Sequence, residues 1–246
     1  MQTNFNRRVF LAGASTVAAW AGSSDTSGAR EINGDKPQPP FPADLPSPLL
    51  APGYVFFTPD EIAFVDAAAE RIMPEDELGP GARACGVTIF IDHQLAGAFG
   101  RAEGWYMLGP WEKGQETQGF QSRLTPAALY RAAIKAIDAY VGSTSGKRFA
   151  DLPPDAQDSV LKDIESGKLQ LGDVDAKTFF KVLLMNTKEG MFSDPMYGGN
   201  KDMAGWKMLG FPGARYNYRD WVSRHGQRYD QPPVGIKGRP AWDGKE

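Results

Sequence analysis

Thr58-Pro59-Asp60-Glu61-Ile62-Ala63-Phe64-Val65-Asp66-Ala67-Ala68-Ala69-Glu70-Arg71-Ile72 reads as a helix with its own start signal. Thr58 and Glu61 stand at capping-box spacing, where hydroxyl and carboxylate each take a backbone N–H that the first turn leaves unpaired, and Pro59 holds the first helical position. Ile62, Val65, Ala69 and Ile72 share one face, and Pro74 ends the run. The same period returns downstream. Val87, Phe90, Ile91 and Leu95 mark a second helix despite the β-branched residues. Thr125-Pro126 opens a third, with Leu129, Ala133, Ile134, Ile137 and Val141 inward and Gly142 as its stop. Pro154-Asp155 opens a fourth, running through Val160, Leu161 and Ile164 to Gly167. Asp175 opens a fifth, whose Phe179-Phe180-Lys181-Val182-Leu183-Leu184-Met185 is apolar on most sides and so belongs at the centre. No run alternates with period two. These patterns predict a mainly α chain, an irregular orthogonal helical bundle with long loops rich in Gly, Pro and aromatic residues and an extended N-terminal linker.

Upstream of Thr58, residues 22–57 carry Pro37, Pro39, Pro40, Pro42, Pro46, Pro48 and Pro52 and read as that linker. Before it, Arg7-Arg8-Val9-Phe10-Leu11 leads into a small-residue apolar stretch that ends in Ala19-Trp20-Ala21. This is the pattern of a twin-arginine export signal over residues 1–21, with Arg7, Arg8, Phe10 and Leu11 as its recognised residues. Asn6 and Ala12 depart from the usual Ser or Thr and Lys of that signal. The competing reading is an arginine pair beside an Ala-rich surface helix. The apolar run is too short to span a membrane, and no other window approaches the needed length. Residues 58–246 then form one helical domain with an interface-forming C-terminal segment.

The formal net charge of -3 over 246 residues gives no general attraction to nucleic acid. Catalytic chemistry is scarce. His93 and His225 are the only histidines and Cys85 the only cysteine, so no haem-attachment motif, zinc set or iron–sulfur set can be assembled. His93 reads as a helix-surface or partly buried residue, and Glu75-Asp76-Glu77 as a solvated face. Gly79-Pro80-Gly81-Ala82-Arg83-Ala84 matches a dinucleotide fingerprint in letters only, since no strand precedes it and its approach is acidic. No catalytic, cofactor-binding or metal-binding residue is assigned.

What remains is shape. Gly190-Met191-Phe192-Ser193-Asp194-Pro195-Met196-Tyr197-Gly198-Gly199-Asn200, continued by Gly205-Trp206 and Gly210-Phe211-Pro212-Gly213, is denser in conformation-setting residues than packing alone demands. Gly198 and Gly199 permit positive φ and close backbone approach, and Asn200 tolerates the left-handed region. Cys85, among Gly79, Gly81 and Gly86, reads as an accessible thiol able to pair with a partner chain, or as an inert buried one. From Tyr197 onward, aromatic residues alternate with Arg215, Arg219, Arg224, Arg228 and Arg239. Such a tail either anchors a protein interface or packs on its own domain.

The Gly190–Gly213 stretch resembles the signature of the gluconate 2-dehydrogenase subunit 3 family, and Thr58 to Met73, Pro74 to Cys85 and Val87 to Leu95 resemble that family's N-terminal half. The resemblance implies the non-catalytic small subunit of a membrane-associated dehydrogenase for gluconate or a related sugar, polyol or sugar acid. Its implied partners are a large subunit that carries FAD, a multi-haem cytochrome c subunit that passes electrons toward quinone, and the twin-arginine translocation machinery. The implied location is the periplasm, at the outer face of the inner membrane, with membrane contact only through partners. The small subunit would lend its export signal to the large one and stabilise it. Cys85, Tyr197, Gly198, Gly199, Asn200, Trp206, Phe211 and Pro212 are the expected partner-binding residues. The alternative is an independent periplasmic carbohydrate-binding protein in which Tyr197 and Trp206 stack on a sugar.

Overall fold

A computed structural model of the chain describes residues 53–236 except 113, 116, 216 and 230, and all of these lie within one compact unit. Among the described residues six α-helices follow one another: α1 (Pro59–Ile72), α2 (Val87–Ala96), α3 (Pro126–Ser145), α4 (Pro154–Ser166), α5 (Ala176–Phe192) and α6 (Ala204–Leu209). No strand occurs among them, only isolated bridge pairs such as Gly213 with Val234. The fold is mainly α, as the periodicity predicts. Arg7, Arg8, Phe10 and Leu11 lie outside the described residues, as does most of the expected linker.

The start signals form as read. Thr58 Oγ1 accepts the Glu61 N–H at 3.4 Å, and Glu61 Oε2 accepts the Thr58 N–H at 2.9 Å. Asp175 accepts the Thr178 N–H at 2.7 Å and so caps α5. At the far ends the glycine signals divide. Gly167 ends α4 in the left-handed region, but Gly142 does not stop α3, which runs another turn to Gly146 at φ +69°. A glycine favours a helix end most where its backbone turns left-handed, as at Gly146 and Gly167; held inside, it costs about 1 kcal/mol relative to alanine. The extra turn uses its own hydroxyls: Ser143, Thr144 and Ser145 donate to the carbonyls of Tyr140 and Val141.

α5 is the central element and packs against α1, α2, α3 and α4. Its Phe179 and Leu183 are fully buried, each worth about 1.5–3 kcal/mol relative to exposure. Phe179 meets Tyr130 of α3 edge to face at 5.4 Å, and Phe64 of α1 meets Phe149 at 4.7 Å. Buried polar groups on α5 are paired: Tyr130 donates to Asn186 Oδ1 at 3.0 Å, and Asn186 Nδ2 donates to Glu189 at 3.1 Å. Burial, with the Glu189 charge adding to it, lifts the Tyr130 hydroxyl well above its ordinary pKa, so it remains a proton donor.

α5 is also longer than the apolar run that announces it. It takes in Gly190, Met191 and Phe192, the first residues of the shape-setting stretch. Gly190 has a packing role there, because a Cβ would lie 3.0 Å from the Phe90 ring and 3.1 Å from Val87 Cγ1, so its absence lets α2 close on α5. α6, which the period does not announce, begins four residues after Asn200.

Candidate functional site

The loop between α5 and α6 is built on Asn200. Its backbone is left-handed at φ +46°, as its residue type allows, and its side chain has no exposed surface. Asn200 Nδ2 donates to the Ser193 carbonyl at 2.8 Å and Oδ1 accepts the Gly205 N–H at 2.9 Å, so one amide joins the end of α5 to the first turn of α6. The Asn200 N–H donates to the Gly190 carbonyl at 2.7 Å, and the Lys201 N–H donates to the Cys85 carbonyl at 3.0 Å. Gly199 lies flat on the end of α5, since a Cβ there would sit 2.2 Å from the Gly190 oxygen. Gly205 is as close to the Met191 oxygen. Trp206 is 5% exposed and donates from Nε1 to the Phe192 carbonyl at 2.7 Å.

The expected docking residues therefore separate into two groups. Gly199, Asn200 and Trp206 face inward and close the subunit's own fold. Tyr197, 41% exposed, and Phe211, 47% exposed, project outward, with Gly198 and Pro212 half-buried beside them. A sugar stacked between Tyr197 and Trp206 does not fit this arrangement, because the Trp206 ring is enclosed and its N–H is already bonded.

Cys85 likewise departs from the accessible position that its glycine neighbours suggest. It has no exposed surface, and its Sγ lies 3.8 Å from the Pro80 carbonyl. Burial raises the thiol pKa, with the Glu70 charge adding to the shift. The neighbouring glycines serve close approach instead. A Cβ on Gly81 would collide with the Glu70 carboxylate, one on Gly79 would lie 3.2 Å from Met208 Sδ, and one on Gly86 would lie 3.2 Å from the Gly198 carbonyl. Glu70 accepts the Arg83 N–H at 2.9 Å, so a carboxylate occupies the place where a nucleotide phosphate would need a donor.

Two buried carboxylates that the sequence reading passes over tie chain segments down through backbone N–H groups. Asp92 on α2, with no exposed surface, accepts three consecutive N–H groups: Val55 at 2.6 Å, Phe56 at 3.0 Å and Phe57 at 2.7 Å. Residues 53–57, read as the end of a linker, are thus part of the packed domain. Next to it, His93 Nε2 donates to the Gly53 carbonyl at 2.9 Å, while its buried Nδ1 faces Gly198 and has no hydrogen-bond partner among the described residues. Asp194 accepts the Met196 N–H at 3.0 Å and the Ile236 N–H at 2.6 Å. The signal for both lay in an acidic residue set among apolar ones, the pattern of a buried acceptor.

Beyond Gly213 the chain makes a closed excursion. Its ends meet where the Ala214 N–H donates to the Val234 carbonyl at 2.7 Å, and within it the Tyr229 ring packs at a tilt against Trp221 at 4.8 Å and Tyr218 at 5.4 Å. An open cleft of about 540 Å³ lies elsewhere, in the aperiodic stretch after α2, walled by Trp105, Tyr106, Leu108 and Trp111. Among the described residues no group of three or more His, Cys, Asp or Glu side chains could hold a metal ion, and no helix is long and apolar enough to cross a membrane. Against known families, the model described as gluconate 2-dehydrogenase subunit 3 matches residues 59–213, more than half of the chain. No curated protein and no solved structure matches.

Proposed function

Because this chain belongs to the gluconate 2-dehydrogenase subunit 3 family, an accessory subunit of a dehydrogenase complex, we propose that it is the small subunit of a periplasmic, membrane-associated FAD-dependent dehydrogenase for a sugar, polyol or sugar acid. In this reading FAD belongs to a large partner subunit and haem c to a cytochrome subunit that passes electrons to quinone. This chain contributes export, through Arg7 and Arg8, and stability. The observation that carries the reading is the extent of the family match, which runs from the first residue of α1 through the whole helical core and the Asn200 loop. The rigidity of that loop supports it, since Tyr197 and Phe211 are displayed from a backbone already held by the fold, and a preorganised surface loses little freedom on docking. Binding a folded partner stabilises both chains by mass action.

Co-expression with a flavin-dependent large subunit of this dehydrogenase class tests the proposal. The expected result is a yellow complex recovered from the periplasm, and its retention in the cytoplasm when Arg7 and Arg8 are both replaced by Lys, since an ammonium does not mimic the guanidinium fork. Recovery of this chain as a colourless monomer from cells that contain the flavoprotein would refute it.

A further inference from the structure

The family match ends at Gly213, one residue before the excursion closes on Val234. Residues 214–236 thus lie beyond the matched span, and their charge differs from that of the chain as a whole. Residues 214–236 hold four arginines against two aspartates, within a chain of formal net charge -3. Arg215 is used internally: it stacks over Tyr229 at 5.5 Å and donates to the Pro232 carbonyl at 2.6 Å. Arg219, Arg224 and Arg228 are exposed, and none has a carboxylate partner among the described residues. Arg224 leans on the Trp221 ring at 4.8 Å.

The apolar residues are arranged with equal point. The excursion carries a 3₁₀ turn, Arg219–Trp221, followed by Val222, which is 71% exposed. Tyr218 is also exposed, Trp221 is half-buried, and both rings pack against Tyr229, which steadies the turn. On its other side Tyr229 shares a hollow of about 350 Å³ with Arg228, Lys207 and Phe211.

We propose that this excursion binds an anionic lipid surface, with Val222 and the Trp221 and Tyr218 rings entering the headgroup region while Arg219, Arg224 and Arg228 meet lipid phosphates. A protein partner would have to supply a shaped pocket for Val222 and carboxylates for three exposed arginines that have only Asp220 as an exposed acidic neighbour in the turn. A lipid interface requires no such shape: it accepts an exposed aliphatic side chain, favours Trp and Tyr rings at headgroup depth, and offers negative charge to every arginine at once. The excursion thus gives this chain direct membrane contact, where the family resemblance implies contact only through partners. It does not rest on the accessory-subunit reading, because it lies outside the matched region.

Co-sedimentation of the purified full-length chain with vesicles tests this. Vesicles of phosphatidylcholine doped with phosphatidylglycerol should carry the protein down, and vesicles of phosphatidylcholine alone should not. Raising salt from 0.1 M to 1 M, which shortens the screening length from about 10 Å to about 3 Å, should release it. Arg219→Gln and Arg228→Gln should each lower the partition coefficient about five-fold, the value of one cation near an anionic surface, and Val222→Ser should lower it with the salt dependence unchanged. All three side chains are exposed, so circular dichroism and melting should match the parent protein. Absence of sedimentation at low salt, equal binding to both vesicle types, or variants indistinguishable from the parent would overturn the proposal. So would a face that captures an acidic protein and leaves vesicles in solution.

Discussion

Between Gly199 and Gly190 the chain has no room for one more carbon, since a Cβ on Gly199 would lie 2.2 Å from the Gly190 oxygen. Gly199→Ala should therefore destabilise the isolated subunit by about 1–3 kcal/mol in urea denaturation, with helical circular dichroism retained before the transition. If assembly with a partner weakened while stability held, the inward packing described for Gly199 would be wrong. The Gly-Gly-Asn motif was legible as a demand for backbone shape, and the left-handed Asn200 follows from its residue type. The object it is shaped against was not legible, because a missing Cβ does not say what fills its place. Here that object is the end of the subunit's own helix. Cys85 shows the same limit, since its glycine neighbours admit Glu70, Met208 and the Gly198 carbonyl rather than solvent. With its thiol pKa raised by burial and by Glu70, Cys85 should resist alkylation in the native protein and react on unfolding, as mass spectrometry after iodoacetamide treatment would show.

At the scale of elements, capping chemistry and apolar period located the five long helices, because each depends on residues within a turn of one another. α6 escaped because six residues cannot display a period, and its place is set by the Asn200 amide and the Trp206 indole. The attachment of residues 53–57 to α2 escaped because its two halves are more than thirty residues apart. Asp92→Asn should expose that attachment: an amide offers one accepting oxygen where the carboxylate offered two, so buried N–H groups lose their partner at about 1–3 kcal/mol each. Limited proteolysis should then cut near residues 53–57 before it cuts within any helix. A second element contact carries a pH signature. Arg71 of α1 grips Asp158 of α4 through two bonds of 2.7 and 2.9 Å, and this hydrogen bonding holds the Asp158 carboxyl below its ordinary value of 3.8 against an opposing effect of burial. The pair's stabilisation is complete above the unfolded carboxyl's pKa and is lost as pH falls through the lower folded value. Both side chains are partly exposed, so its size is under about 1 kcal/mol, and Asp158→Asn should flatten the acid limb of the stability–pH curve by that amount.

Across the whole molecule, the family-matched body and the segment beyond it present surfaces of different chemistry. Replacing Tyr197 and Phe211 together by Ser should leave the melting temperature within a few degrees of the parent, since both residues are more than two-fifths exposed and neither belongs to the buried core, although Phe211 gives up its edge contact with Trp206. The same variant should lower the amount of flavoprotein that co-purifies. If it melts early instead, these rings serve the fold and the outward-facing group has no docking residues left. The body could be read from sequence because its helices announce themselves locally; the excursion could be read only as a tail of arginines and rings, since its closure depends on contacts such as Arg215 with Pro232 that no spacing rule reveals. The Asp92 attachment has one more consequence, which is mechanical. Force applied from the N-terminal side of Gly53 meets the His93 bond first, then three consecutive bonds on one carboxylate, and only afterwards Thr58 and the first turn of α1. The core is thereby insulated from tension: under load the leading segment detaches as a fuse would, and the helices behind it keep their shape.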